Sequence, residues 1–256
     1  MEECMGNLRE DIQQWIFDYA QSAGAETLVV GVSGGIDSAV VSTLCASTGL
    51  PTIVLSMPIR QDKEQHDLSV DHCLSLLNTF TNVQWETIDL TDVFTKFEDL
   101  FNLHNTTLAM ANSRSRLRMM TLYATAQNHN GIVVGTGNKV EDFGVGFFTK
   151  YGDGGVDILP IADLTKTEVW DLGKQLGVNQ AIIDAQPTDG LWDDGRVDED
   201  QLNGLTYVEL ERCMDLEERG ISIDEVDNLT AAKLRIYREI RERNLHKMQP
   251  IPVFKR

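Results

Sequence analysis

Residues 27–38 read TLVVGVSGGIDS, a short apolar run followed by a Ser-Gly-Gly turn and a stretch that becomes helical over 38–47. A run so uniformly apolar reads as a buried central strand over 27–32. Glycine lets a turn adopt positive φ and lets backbone N–H groups approach a ligand closely. A helix that starts there adds free N–H groups and the positive end of its dipole, so the turn forms an anion site. Ser33 and Ser38 contribute hydroxyl donors. Asp37 would repel a bound phosphate unless a cation lies between them, and this predicts Mg²⁺. A plain strand-to-helix turn capped by Ser and Asp is the alternative reading. The sequence has no GxxxxGK[ST], and Gly135 and Gly137 lack the third glycine of a dinucleotide fingerprint.

Outward from this turn, strands are expected at 52–57, 83–88 and 132–136, with helices over 7–22, 62–79 and 106–129. Strands alternating with long helices predict an α/β fold, a doubly wound parallel sheet with flanking helices. Beyond residue 143 the pattern changes. Residues 144–160 read as a Gly-rich loop with aromatics, 166–176 as a helix, and 184–204 as an acidic lid, because loops of that length are usually functional. Two charged helices, 206–218 and 228–243, form a helical C-terminal appendage. The expected organisation is one unit over 1–256, with an α/β core of about 20–180 and a lid plus C-terminal helices over about 181–256.

With 22 Lys and Arg against 40 Asp and Glu, the 256-residue chain carries a net charge of −18. Nucleic-acid binding draws on Lys and Arg, so such a partner is disfavoured and small ligands are favoured. No apolar run approaches the roughly 18 residues that span a membrane, and the N-terminus shows no secretory signal. Cys4, Cys45, Cys73 and Cys213 form no CxxC pair, which suits reduced thiols in a cytoplasmic protein. His66, His72, His104 and His129 lie near no motif and read as structural or surface residues.

In so acidic a chain, Arg114, Arg116 and Arg118 at the start of the long helix call for anionic partners, either a ligand or nearby acids. Arg114 and Arg118, four apart, share a face. Glu141 and Asp142 follow the fourth strand, where open α/β sheets place ligands, so both are candidate cation ligands. Residues 147–157 offer Lys150, Asp153, Asp157 and three aromatics in a Gly-rich frame, a set suited to a planar cationic ring and ribose hydroxyls.

The SGGIDS turn after the first strand resembles the signature of the N-type ATP pyrophosphatases, which cleave ATP to AMP and pyrophosphate. Together with NSRSRLRM (112–119), GTGNKVEDFGVGFFTKYGDGGVDILP (135–160), QPTDGLW (186–192) and the terminal His246-Lys247 before PIPVF, the chain is similar to the ammonia-dependent NAD synthetases within that group. The resemblance implies an adenine-nucleotide alpha-hydrolase-like fold and amidation of deamido-NAD to NAD, with ATP as co-substrate and Mg²⁺ as cofactor. It assigns Ser33, Gly34, Gly35, Asp37, Ser38, Arg118, Thr136, Lys166 and Thr188 to ATP, and Asp37 and Glu141 to the metal. Deamido-NAD would be held by Asn112, Arg116, Lys150, Asp153, Asp157, His246 and Lys247. Lys166 and Asp37 would act in pyrophosphate release, and Asp153 on ammonium. Leu108 stands where some relatives carry an aromatic near the nicotinate ring, and Ser56, Arg60 and Gln61 align loosely with an ATP contact. Relatives that use glutamine carry an amidase domain for which 256 residues leave no room, so free ammonia, or a separate donor subunit, is the expected nitrogen source, and a homodimer is implied. Other ATP pyrophosphatases, such as a tRNA-modifying ligase or thiolase, and a nucleotide-binding regulator without turnover are the alternatives.

Overall fold

The computed structural model describes residues 2–101, 107–192 and 194–256, with side chains from residue 8 onward. Four strands, β1 (Thr27–Gly31), β2 (Thr52–Ser56), β3 (Val83–Thr87) and β4 (Gly131–Val133), form a parallel sheet in the order β3-β2-β1-β4. The register pairs Val29 with Ile53 on one side and with Val133 on the other. A parallel bridge from Val134 to Ile158 prolongs the β4 edge. Because the chain moves from β1 to β2 in one direction and returns to β4 on the other side, the crevice between β1 and β4 is the topological switch point.

Alternation along β1 explains why both faces of the sheet are covered. Leu28 and Val30 pack with α1 (Glu2–Ala23), α2 (Ile36–Ser47) and α6 (Lys166–Gln175). Val29 points the other way, into a core with Phe94 of α4 (Thr91–Leu100) and Met119 and Leu122 of α5 (Thr107–Asn128). Helix α3 (Lys63–Thr79) closes a smaller cluster around Val54 and Cys73. Asp62 caps it by accepting from the Glu64 and Gln65 N–H groups.

After the short helices α7 (Gln180–Asp184) and α8 (Asp198–Gln201) come α9 (Tyr207–Glu218) and α10 (Asn228–Met248). Their apolar faces enclose Val140 and Val145, so the C-terminal helices have a core of their own, centred on Leu210, Leu234 and Tyr237. This segment packs on residues 139–145 and on α6.

Several boundaries differ from the sequence reading. β4 stops at Val133 and is shorter than 132–136, and α10 runs to Met248. Helix α4 falls in a segment given no element. Residues 139–145, where a post-strand turn running into a loop is expected, form a π-helix. Its N-terminus is capped by Asn138, whose Oδ1 accepts from the N–H groups of Val140 and Glu141. Single-turn π segments are frequent at functional sites. His104 lies outside the described residues.

Candidate functional site

Beyond the carboxyl end of β1 the chain turns through Ser33, Gly34 and Gly35 into α2, whose N-terminus has no side-chain cap. Gly34 has φ +91°, and a Cβ there would lie 2.5 Å from the Gln65 carbonyl oxygen, so glycine is required. Ser38 braces the turn by donating to Gly35 O at 2.9 Å and accepting from Ser33 N–H at 3.2 Å. The uncapped N–H groups of α2 are thereby left facing the crevice, as an anion site requires.

The floor of the crevice is a charged cluster. Lys166 Nζ donates to Asp37 Oδ2 at 2.5 Å and to Glu141 Oε1 at 2.9 Å, and Asn138 Nδ2 donates to the other Asp37 oxygen at 3.2 Å. Each element supplies one member: α2 gives Asp37, the π-helix Glu141, and the first residue of α6 Lys166. Thr165 and Glu168 fix that start in a capping box. Burial works against the charge on Lys166, but the two carboxylates outweigh it and raise its pKa. One ammonium cannot neutralise two carboxylates. Burial pushes Asp37 up despite Lys166, whereas Lys166 and the Tyr207 hydroxyl overcome burial at Glu141 and hold it below the ordinary range.

Tyr207 lies on the far side of Glu141. Its hydroxyl is 2.5 Å from Glu141 Oε1 and 2.8 Å from Asp198 Oδ2. A hydroxyl carries one proton, so it donates to only one of the two, and both contacts are satisfied when Asp198 is protonated and donates in turn. Burial raises Asp198 to about 7, which permits that state near neutrality.

This floor opens into a cavity of about 540 Å³ lined by Ser33–Ser38, Gln61, Arg118, Thr136, Glu141, Lys166, Thr188 and Asp198, with Asp153 at its rim. All the residues expected at ATP and metal therefore border one space. Arg118 is oriented by donating to Met57 O and Gln61 Oε1, and Thr188 donates to Arg196 O. His66 also lines this cavity, contrary to its reading as remote from any motif. His72 is buried beside Ser42 at 2.9 Å, and His129 is exposed. Arg60 pairs instead with Glu98, and Ser56 is buried against Ser69. Asp142, the rival to Glu141, is buried, and burial together with Glu141 raises its pKa well above the usual carboxylate range. Asp142 also lines the cavity, but the Lys166 ammonium contacts Glu141.

The residues expected at deamido-NAD separate into two groups. Around residues 148–153, Thr149 donates to Asn112 Oδ1, Arg116 to Lys150 O, Lys247 to Phe148 O, and Ser115 to Asp153 Oδ1 at 2.6 Å. Asp157 and His246 are not in this group. Asp157 accepts from Tyr123 and from the Val133 N–H of β4, and exposed His246 contacts Arg243 O within α10. Asn138, Asp198 and Tyr207 escape the sequence reading: Asn138 is legible only as part of the GTGNKVED string, and Tyr207 falls inside a helix read only as charged.

A parallel α/β sheet with a Gly-Gly turn at its switch point, and two carboxylates around a lysine beneath it, defines a fold of the adenine-nucleotide alpha-hydrolase-like class. Residues 8–251 match the NAD synthase family model. The NH(3)-dependent NAD(+) synthetase of Archaeoglobus fulgidus is 35% identical over 95% of this chain and 94% of its own length. That of Finegoldia magna is 38% identical over 80% and 82%. A solved structure, NMN synthetase from Francisella tularensis, superposes with TM-score 0.85 at 34% identity, covering 97% of each chain. The chain belongs to the NAD synthase family.

Proposed function

We propose that this chain is a ligase that amidates deamido-NAD with ammonia, consuming ATP and releasing AMP and pyrophosphate. The observation that carries the reading is the Lys166 ammonium shared by Asp37 and Glu141 directly beneath the SGGIDS turn, in a chain of the NAD synthase family. Carboxylates are poor electrophiles, so the nicotinate carboxylate must first be activated. Its oxygen attacks the α-phosphorus of ATP, the bond to pyrophosphate breaks, and AMP then serves as the leaving group when ammonia attacks the carbonyl. The substrate supplies the nucleophile, and the protein supplies orientation and charge neutralisation.

The turn N–H groups of α2 and the Ser33 and Ser38 hydroxyls would hold the phosphates, with Arg118, Thr136 and Thr188 along the same wall. Lys166 would carry the charge that develops on departing pyrophosphate. The donor set fits Mg²⁺: two hard carboxylates, Asp37 and Glu141, already held around a cation, with net negative charge left over. Among the described residues no group of three or more His, Cys, Asp or Glu is arranged for a metal, and Mg²⁺ commonly takes one or two carboxylates plus substrate phosphates. When bound it would neutralise phosphate charge.

Asn112, Arg116, Lys150, Asp153 and Lys247 would receive deamido-NAD, with Asp157 and His246 at its periphery, and Asp153 at the rim would hold ammonium. A homodimer is part of this reading. Exposed Leu100, Phe101, Leu108 and Met120 on and beside α4 and α5 are apolar surface for it. Reduced Cys45, Cys73 and Cys213 suit the cytoplasm. Among the described residues no helix is long and apolar enough to cross a membrane.

The test incubates the protein with ATP, Mg²⁺, ammonium and deamido-NAD and measures NAD and AMP, which should form in equal amounts. Nicotinic acid mononucleotide is run in parallel because the Francisella neighbour is an NMN synthetase. Faster turnover of the mononucleotide would overturn the choice of acceptor, and no AMP with either would overturn the ligase reading.

A further inference from the structure

Tyr207, the first residue of α9, is 4% exposed. Its ring is fixed edge-on against Trp170, with centroids 6.2 Å apart at 86°, and Lys166 Nζ lies 4.8 Å from its centre. The hydroxyl therefore has little freedom, and it meets Glu141 Oε1, the same oxygen that Lys166 contacts, at 2.5 Å. The other neighbour of that hydroxyl is Asp198, in the segment expected to act as a lid. Asp198 is 5% exposed and borders the cavity, and its Oδ1 is buried without a hydrogen-bond partner among the described residues. A buried carboxylate oxygen with no partner is costly, and the Tyr207 contact is the side-chain bond that keeps it there. The backbone of Asp198 in turn donates to Pro187 O across the lid.

We propose that Tyr207 is a positioning residue for Glu141 and that Asp198 fastens the lid to it, so that seating the lid and orienting the metal-binding carboxylate are one event. This rests on the reading that Asp37 and Glu141 hold the divalent cation. Partners of metal ligands are worth about 10–100-fold in metal affinity.

The test uses the full chain and Tyr207→Phe, which keeps the ring packing and removes the hydroxyl. Mn²⁺ binding is followed by electron paramagnetic resonance with a non-hydrolysable ATP analogue, and cleavage within 184–204 by limited proteolysis. Tyr207→Phe should bind Mn²⁺ at least about 10-fold more weakly and lose protection of the lid, while KM for deamido-NAD stays unchanged. Asp198→Ala should lose lid protection with a smaller effect on Mn²⁺. Glu141→Gln separates the two ideas. If it loses Mn²⁺ while Tyr207→Phe binds as the wild type does, the positioning role is overturned and the metal reading stands. If both bind as the wild type does, Glu141 is not a ligand. Should Tyr207→Phe fail to fold, wild-type lid protection and Mn²⁺ binding in Asp198→Ala overturn the proposal.

Discussion

Replacing Lys166 by Met keeps most of the side-chain volume and removes the cation that lies between Asp37 and Glu141. The side chain is 4% exposed, and each partner carboxylate is 16% exposed. Taking one member from a buried ion pair costs roughly 3–5 kcal/mol, because the remaining charge is left uncompensated. For a chain of this size a kilocalorie moves the melting temperature by about 2–4 °C, so the variant should melt roughly 10 °C lower in the absence of divalent cation. The deficit should depend on pH. With the ammonium gone, burial and mutual repulsion push both carboxyls up, so the folded chain holds protons that the unfolded chain releases, and the gap to the wild type widens as pH rises. Mg²⁺ should stabilise the variant more than the wild type, since no ammonium competes for the carboxylates. Turnover should fall about 100-fold or more, the scale for one lost transition-state donor. Calorimetry across pH, with and without Mg²⁺, and steady-state assays check both halves. A variant that melts and turns over like the wild type would refute the reasoning.

Gly34→Ala forces a side chain onto φ +91° and to within 2.5 Å of Gln65 O; a loss of about 1–3 kcal/mol in urea unfolding, together with weakened ATP binding by calorimetry, is expected. Burial lowers the pKa of His72 to about 4 from 6.5, so the unfolded chain takes up a proton first and stability falls as pH drops from 6.5 toward 4. The slope integrates to about 3 kcal/mol, and His72→Asn should flatten it in urea titrations. Residues 184–204 should resist trypsin and Glu-C when ATP and Mg²⁺ are present; equal cleavage with and without nucleotide would count against a lid.

Much of the scaffold is legible because its signals are local. The apolar runs of β1 and β2 and the glycines of the SGGIDS turn declare themselves within a dozen residues. The edge strand and the π-helix are harder. β4 is only three residues long, since the chain leaves the sheet to carry Glu141 into the crevice, and the π-helix depends on the Asn138 cap and on packing against α9 and α10. The Lys166 contacts were approachable only through resemblance, since nothing around Lys166 states that Asp37 will be 2.5 Å away. Tyr207 and Asp198 were missed because their significance lies wholly in tertiary juxtaposition: a tyrosine at the start of a charged helix and an aspartate in an acidic loop look ordinary. His66 reaches the cavity for the same reason.

The 129 residues that separate Asp37 from Lys166 also order events at the ribosome. At ordinary elongation rates the SGGIDS turn is made roughly ten seconds before Lys166, and Tyr207 is made later still. A nascent chain thus presents the SGGIDS turn before Lys166 exists to pair with Asp37, and a chain shortened by fifty residues would keep that ion pair but lose the Tyr207 hydroxyl beside Glu141.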